Sequence, residues 1–517
     1  MSLNGMVAAS QPLAALAGLR TLMRGGNAVD AAVATAAALN VVEPMSTGAG
    51  GDAFALTYVA RTGEVTALNA SGRAPRAQTL DEMRRRGYTA MPGRGALTIT
   101  APGAVAGWHD ILKRHGTLTL SDVLQPAIEF AEQGFPVTEV ISGDWLEFEP
   151  AADSLPSLAG TYLIDGRAPL PGNVFRNPAL ARTLRAIAEG GPDAFYTGHI
   201  AESIVSVVQQ NGGLLTLDDL AAHRSTWDAP IRADYRGVTI VECPPNGHGL
   251  VALEALNILE EFDLAAMGYG TPACYHHLVE AIKLAFADAL AYVGDPNFGD
   301  VPALRLIDKA YAAERRRSID PRRAASRAAP GQPGGDTVYL SVIDKDRNAC
   351  SFINSLFAGF GSGLVAEGVV LHNRGASFSL KEGHPNCIAP GKRPYHTIMP
   401  ALALKRDRLW LSFGVMGGFV QPQGHVQVAC NLIDFGMNPQ QALDAPRVIW
   451  HDGALIDLED GIDDDVRSAL AAIVHRLMAK DDPARYYGGG QMVAIDEGNG
   501  ALLGGSDPRK DGCAIGY

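Results

Sequence analysis

"GGDTVYLSVIDKDRNACSFINSLF", residues 334–357, reads as a glycine loop that stops at Asp336 and a strand that starts at Thr337. From there Val338, Leu340 and Val342 point to one side, and Thr337, Tyr339 and Ser341 to the other. "DKDRNA" makes a turn, and "CSFINSLF" returns as a second strand. A turn centred between Asp346 and Arg347 pairs residues whose numbers sum to about 693. Thr337 then lies opposite residue 356, give or take one, with Asn354 and Ser355 beside it. A strand in a core sheet therefore begins among polar neighbours. The run before it, 314–336, is rich in Arg, Pro, Gly and Ala and reads as an exposed, flexible joint.

Two readings fit a threonine at that junction. Threonine is a good strand former, and a loop has to end somewhere. Alternatively, the chain is cut between Asp336 and Thr337. A free α-amino group has a pKa of about 7.7–8.0, so much of it is neutral near physiological pH. It can accept the proton of its own residue's hydroxyl, which joins nucleophile and base in one residue. Such a nucleophile needs donors for an oxyanion. "SFGVMGGFVQPQGH", 412–425, supplies a strand, then Gly417-Gly418, then a helix whose first N–H groups favour negative charge.

Outward from this stretch, "GGNAVDAAVATAAALNVV", 25–42, carries a buried helix capped by Asn27 with Asp30 three residues on. Before it, Leu13, Leu16, Leu19 and Leu22 mark a helical face over 12–26. Residues 54–70 read as a hairpin turning at Thr62-Gly63; 117–135 and 176–223 are mostly helical; 235–243 is a strand; 249–262 and 275–293 are helices. After the joint come strands at 337–344, 349–357, 364–371 and 409–415, and a helix at 421–436. Helices and strands interleave on both sides of the joint, so the class is α/β or α+β.

Composition excludes several functions. The 517 residues are 47% hydrophobic and 19% charged, enough for a large core. Net charge is −13, and the one dense basic run lies in the joint with no aromatic platform, so no nucleic-acid partner is expected. The six cysteines have neither disulfide-framework nor zinc spacing. The start, "MSLNGMVAAS", lacks the basic and apolar stretches of an export signal, and no segment is long enough to span a bilayer. The expectation is a cytoplasmic protein with no membrane partner, no cofactor and no metal; a trimmed export signal stays open. "GAGGDA", 48–53, follows a helix and precedes a strand, the reverse of a dinucleotide loop. His276-His277 is not a metal-binding spacing, and no G-x-S-x-G elbow is present.

In order along the chain, "GGNAVDAAVATAAALNVVEPMSTGAGGDAF" (25–54), "TAPGAVAGW" (100–108), "FADALAYVGDPNF" (286–298), "GDTVYLSVIDKDRNA" (335–349), "FGSGLV" (360–365), "GGFVQPQ" (417–423) and "GGSDPRKDG" (504–512) resemble the γ-glutamyltranspeptidase family of N-terminal-nucleophile hydrolases. The resemblance covers nearly the whole chain. It implies an α+β, four-layer αββα sandwich. It also implies a precursor that cuts itself between Asp336 and Thr337 into a large segment (1–336) and a small one (337–517), which stay together as a heterodimer; a dimer of these is left open. Thr337 falls on the family's nucleophile and Gly417 and Gly418 on its oxyanion glycines. Ser355 falls where the family has a threonine that hydrogen-bonds the terminal amine.

Where the family grips a γ-glutamyl end, this sequence departs from it. In place of R-E-x-A-P stands "SGRAP", with Ser71 at the arginine's offset and Arg73 two residues later. In place of N-N-Q-x-D-D-F stands "HNRGASF", with Arg374 at the glutamine and Ser377 at the aspartate that would hold an ammonium. The paired serines of the pocket become His396 and Thr397, and the segment from Phe378 to Pro394 is short, which implies a reduced lid. Losing the acid and gaining an arginine removes the ammonium's partner and adds a carboxylate binder. The expected substrate is a small amide whose acyl group bears a carboxylate, as in cephalosporin-acylase-like or oxamate-amidohydrolase-like relatives, with hydrolysis ahead of transfer. Glutathione hydrolysis is the family's default, and an uncut, non-catalytic binding protein is the alternative from another class.

Overall fold

The computed structural model describes residues 1–326, 336–482 and 485–517, with backbone alone for 151–153 and Asp336. Among these, two antiparallel sheets stack face to face. The first runs in the order Cys513–Gly516, Met6–Ala9, Asp336–Ile343, Ala349–Phe357, Asp52–Val59, Glu64–Ala70, Thr226–Asp228. The second runs Leu502–Ser506, Gly489–Ile495, Arg408–Met416, Ala401–Lys405, Val238–Glu242, Ile231–Tyr235. Strand alternation makes the layers. Phe54, Leu56, Tyr339 and Ile353 meet Val241, Leu402 and Val493 between the sheets. Val338, Leu340, Val342 and Phe352 face outward onto the helices Pro12–Met23 and Ala28–Val42. Beyond the second sheet, Ala403, Phe413 and Val415 pack on Gly249–Glu260, Pro272–Tyr292 and Val420–Ile433. This is the four-layer αββα sandwich.

Both sheets draw strands from either side of residue 336, so the two segments share one interior. The helix Ala28–Val42 is buried throughout and opens with the predicted capping box, in which the Asn27 side chain accepts from the Asp30 N–H and the Asp30 carboxylate from the Asn27 N–H. The face of the preceding helix differs from the leucine spacing. Ala14, Ala15, Leu19 and Leu22 are buried while Leu16 is exposed, because a strict three-residue step drifts around a 3.6-residue turn.

The central hairpin is one residue off the sequence register: Ile343 pairs with Ala349 and Val338 with Asn354. The ladder shifts between Asn354 and Phe357, which restores the expected offset beside Thr337. The predicted strand 364–371 is a hairpin of Val365–Ala366 with Val369–Val370, and the predicted strand 235–243 is Val238–Glu242, paired with the additional strand Ile231–Tyr235. The joint predicted over 314–336 is partly ordered structure: Lys309–Arg316 is helical, and Ile319 and Ala324 are buried. Residues 327–335, which carry the rest of that joint, lie outside the described residues. All six cysteines are free, and no described helix is long and apolar enough to cross a membrane.

Candidate active site

Thr337 lies on the inner face of its strand and is buried. Its Oγ1 is 3.0 Å from the Oγ of Ser355 on the neighbouring strand. The register shift makes this contact possible. Phe357 adopts φ +80°, a left-handed conformation that costs a bulky residue about 1–3 kcal/mol. That turn aims its N–H back at Ser355 Oγ (2.9 Å) and lays its ring 4.3 Å from the Arg374 guanidinium. Behind the strand, Gly51 lies so close that a Cβ there would sit 2.4 Å from the carbonyl oxygen of Ser355. The glycines of "GAGGDA" thus serve close backbone packing.

Arg374 stands in the short turn Arg374–Ser377 and is fully buried. Its Nη1 donates to Thr397 Oγ1 at 2.8 Å and its Nη2 to Ser355 Oγ at 3.3 Å, while Nε has no hydrogen-bond partner. No carboxylate of the described residues lies within ion-pair distance of it. Burial pulls its pKa down to about 9, although Asp52 acts in the opposite sense. A buried guanidinium without an anion in contact has the charge and the free N–H to pair with one.

His396 uses both ring nitrogens within the protein. Its Nδ1 accepts from the Ile398 N–H (3.3 Å) and its Nε2 donates to Asp52 Oδ2 (3.0 Å). The imidazole is neutral, its pKa lowered to about 3 by burial and by Arg374. Burial alone would raise the Asp52 carboxyl, but His372 and His396 outweigh it and hold the group below the usual carboxylate range. Asp52 Oδ1 accepts from the Gly72 N–H at 3.0 Å, and His372 Nδ1 stands 3.4 Å from Oδ2, within ion-pair reach but off hydrogen-bond geometry.

Gly417 (φ +124°) and Gly418 (φ +56°) make the turn from the strand Arg408–Met416 into the helix Val420–Ile433. A Cβ on Gly417 would come within 2.7 Å of the Tyr486 ring. In the first turn of that helix Gln421, fully buried, accepts the Met399 N–H on Oε1 (3.1 Å), and this orients its Nε2 toward Thr337 Oγ1 at 3.5 Å. One turn further on, His425 accepts the Val415 N–H on Nε2 and donates from Nδ1 to Glu242, which locks helix to strand beneath the two glycines.

The structure therefore brings together Thr337, Ser355, Arg374 and Thr397, with His396 behind them and the Gly417-Gly418 turn reached through Gln421. It does not bring Arg73 into this group. That side chain is half-buried and donates to the Arg224 carbonyl oxygen at 3.2 Å. Ser71 bonds to Asn69 and Asn246 instead. Ser377 Oγ is buried without a partner, and its carbonyl oxygen accepts from Asn386. The backbone of Asp336 pairs with Phe357. Sequence reading missed Asp52, Phe357 and Gln421. Asp52 and Gln421 sat inside quoted motifs, and Phe357 had no local signal. Among the described residues three potential metal ligands converge at His276, Glu280 and His475, and none of them bonds to the Thr337 group.

The sequence profile of gamma-glutamyltranspeptidase matches residues 14–517. The glutathione hydrolase-like YwrD proenzyme of Bacillus subtilis (strain 168) is 41% identical over 99% of this chain and 98% of its own. The oxamate amidohydrolase proenzyme of Klebsiella pneumoniae subsp. pneumoniae is 35% identical over 100% and 99%. The crystal structure of cephalosporin acylase from Bacillus halodurans superimposes with a TM-score of 0.94 at 44% identity, covering 100% of this chain and 96% of that one.

Proposed function

The chain belongs to the gamma-glutamyltranspeptidase family of amide hydrolases, and from that premise we propose that it is a precursor that cuts itself before Thr337 and hydrolyses small amides with a carboxylate on the acyl side. The observation that carries this is the 3.0 Å contact between Thr337 Oγ1 and Ser355 Oγ with Arg374 on the far side of Ser355.

In the precursor the Thr337 hydroxyl attacks the carbonyl carbon of Asp336. The C–N bond breaks as the acyl group moves to oxygen, which frees the amine, and water then hydrolyses the ester, releasing the Asp336 carboxylate and restoring the Thr337 hydroxyl. In the mature site that amine takes the proton from Oγ1 as the oxygen attacks a substrate amide. Negative charge on the tetrahedral oxygen falls to the N–H groups of the Gly417-Gly418 turn, where one donor is worth about 3 kcal/mol. The protonated amine returns its proton to the leaving nitrogen, and water releases the acid from the acyl-enzyme. Ser355 holds the amine, and Gln421 holds the hydroxyl.

Arg374 receives the substrate carboxylate, and nothing at Ser377 answers an α-ammonium. Relatives named as an oxamate amidohydrolase and a cephalosporin acylase support an acyl group of this kind. The segment from Phe378 to Pro394 packs flat, Gly391 and Lys392 bonding to the Ala74 backbone and Phe378, Leu380 and Ile388 forming a small core with Met83. With no long cover, water outcompetes an acceptor amine and hydrolysis leads transfer. The cytoplasm is the compartment we assign.

A denaturing gel tests the scheme. Wild type gives two fragments, and Thr337→Ala gives one chain near 54.4 kDa without amide hydrolysis. A Thr337→Ala protein that still cuts before residue 337, or a wild type that stays whole and inert, removes the nucleophile assignment.

A further inference from the structure

We propose that His276, Glu280 and His475 form a zinc-type divalent metal site that ties the two chain segments together away from the catalytic group. His276 and Glu280 stand one turn apart on the helix Pro272–Tyr292, and His475 reaches them from the other segment. All three are buried, and their ligand atoms lie within 4.8 Å of one another. The pairing is invisible along the chain because its second histidine lies 199 residues away.

The hydrogen bonds fix the chemistry. His276 Nε2 is 2.8 Å from the carbonyl oxygen of Asp320, which can only accept, so Nε2 carries the proton and Nδ1 presents a lone pair. A ring N–H held by a backbone carbonyl is the usual support of a metal-bound histidine. That Nδ1 lies 2.8 Å from His475 Nε2, which donates to it. His475 Nδ1 has no partner, so moving its proton there frees Nε2 as a second ligand at the loss of one hydrogen bond. Two imidazoles and a carboxylate suit zinc, with ligand atoms about 3.3 Å apart around bonds of about 2.0–2.1 Å. The histidine pair opens slightly and the carboxylate moves in.

Lys283 is the competitor. Its Nζ donates to Glu280 Oε1 at 2.7 Å from a buried position, so a cation already faces the carboxylate. Metal binding displaces or repels that ammonium, which sets a moderate affinity and makes Lys283 the residue that tunes it. The same cluster holds the chain that leads toward Thr337. Glu280 Oε2 accepts the Ala325 N–H, Lys283 donates to the Ala325 carbonyl oxygen, and the Ala324 N–H donates to Ile473, two residues from His475. An ion here joins residues 320–325 to both segments, whether or not the chain is cut.

The full chain, stripped with a chelator, is titrated with Co²⁺ and followed by its visible d–d absorption, and thermal midpoints are read with and without Zn²⁺. The expected results are one equivalent of Co²⁺ with a tetrahedral spectrum and a Zn²⁺-dependent rise in the midpoint of about 2 °C at a hundredfold excess over Kd. His475→Gln, which keeps an N–H donor and the fold, loses both, and Lys283→Met binds about tenfold tighter. No spectrum and no shift in either wild type or Lys283→Met, or a spectrum that survives His475→Gln unchanged, overturns the site.

Discussion

At its turn, the hairpin of Asp336–Ile343 and Ala349–Phe357 is closed by its own residues. Asp344 accepts the N–H groups of Asp346 and Asn348, and Asn348 answers with its side chain. At the open end almost nothing is local. Ser355 is held by Arg374 as well as by the strained Phe357, Thr337 is reached by Gln421, and Gly51 presses on the strand from behind. At the turn Asp344, Arg347 and Asn348 are all paired, locally and also with distant segments: Asp344 and Asn348 accept the Ala28 and Ala60 N–H groups, and Arg347 donates to the Leu3 and Gly500 carbonyl oxygens. The open end keeps a buried guanidinium with no anion in contact, and the fold around it supplies the stability that such a group removes. The difference is why the proposed site is placed at the unsatisfied end.

Substitutions at the two ends should therefore differ in kind, and the largest effect belongs to Arg374. Arg374→Met should raise KM for a carboxylate-bearing amide about a hundredfold and leave a neutral amide nearly unchanged, as expected for a lost charge-assisted pair; equal losses on both substrates would break the contrast. Gln421→Leu comes next. Loss of one neutral hydrogen bond to Thr337, the proposed nucleophile, should lower kcat about tenfold at constant KM, and a change confined to KM would place Gln421 in the substrate pocket instead.

His396 gives a pH test. Its folded pKa of about 3 lies below the ordinary 6.5, so the unfolded chain binds the proton first as pH falls, and stability drops from about pH 6.5 toward 3. His396→Gln should flatten that acid limb by about 1.4 kcal/mol per pH unit in denaturation midpoints; parallel limbs would mean the imidazole is charged in the fold. The smallest effect is at the turn. Asn348→Ala should cost about 1 kcal/mol of stability and leave turnover as it was.

The same contrast explains what could be read in advance. The hairpin, its turn, its inward and outward faces and the Asn27 capping box follow from local chemistry and were legible. The ladder was off by one residue because the turn is centred on Asp346, one half-step from where the sequence placed it, and the compensating shift at Phe357 has no local signal. Thr337, Ser355, Arg374 and Thr397 could be proposed because motifs mark them, and the structure joins them by hydrogen bonds. Arg73 was proposed from its spacing in one motif, and its contacts lie with Arg224. Asp52, Gln421 and the His276–His475 pair depend on distant segments meeting, which periodicity and spacing along one chain do not encode.

Met6–Ala9 lies between two strands from the far end of the chain, Asp336–Ile343 and Cys513–Gly516, and it pairs with both. Once a chain with this weave is severed before Thr337, its two pieces no longer share a tether. Denaturant would then turn a one-molecule event into an encounter of two, dependent on dilution, with neither piece owning a complete sheet. Maturation of such an enzyme is a one-way passage: the weave must be finished first, and afterwards the molecule's working life is set by how slowly it comes apart.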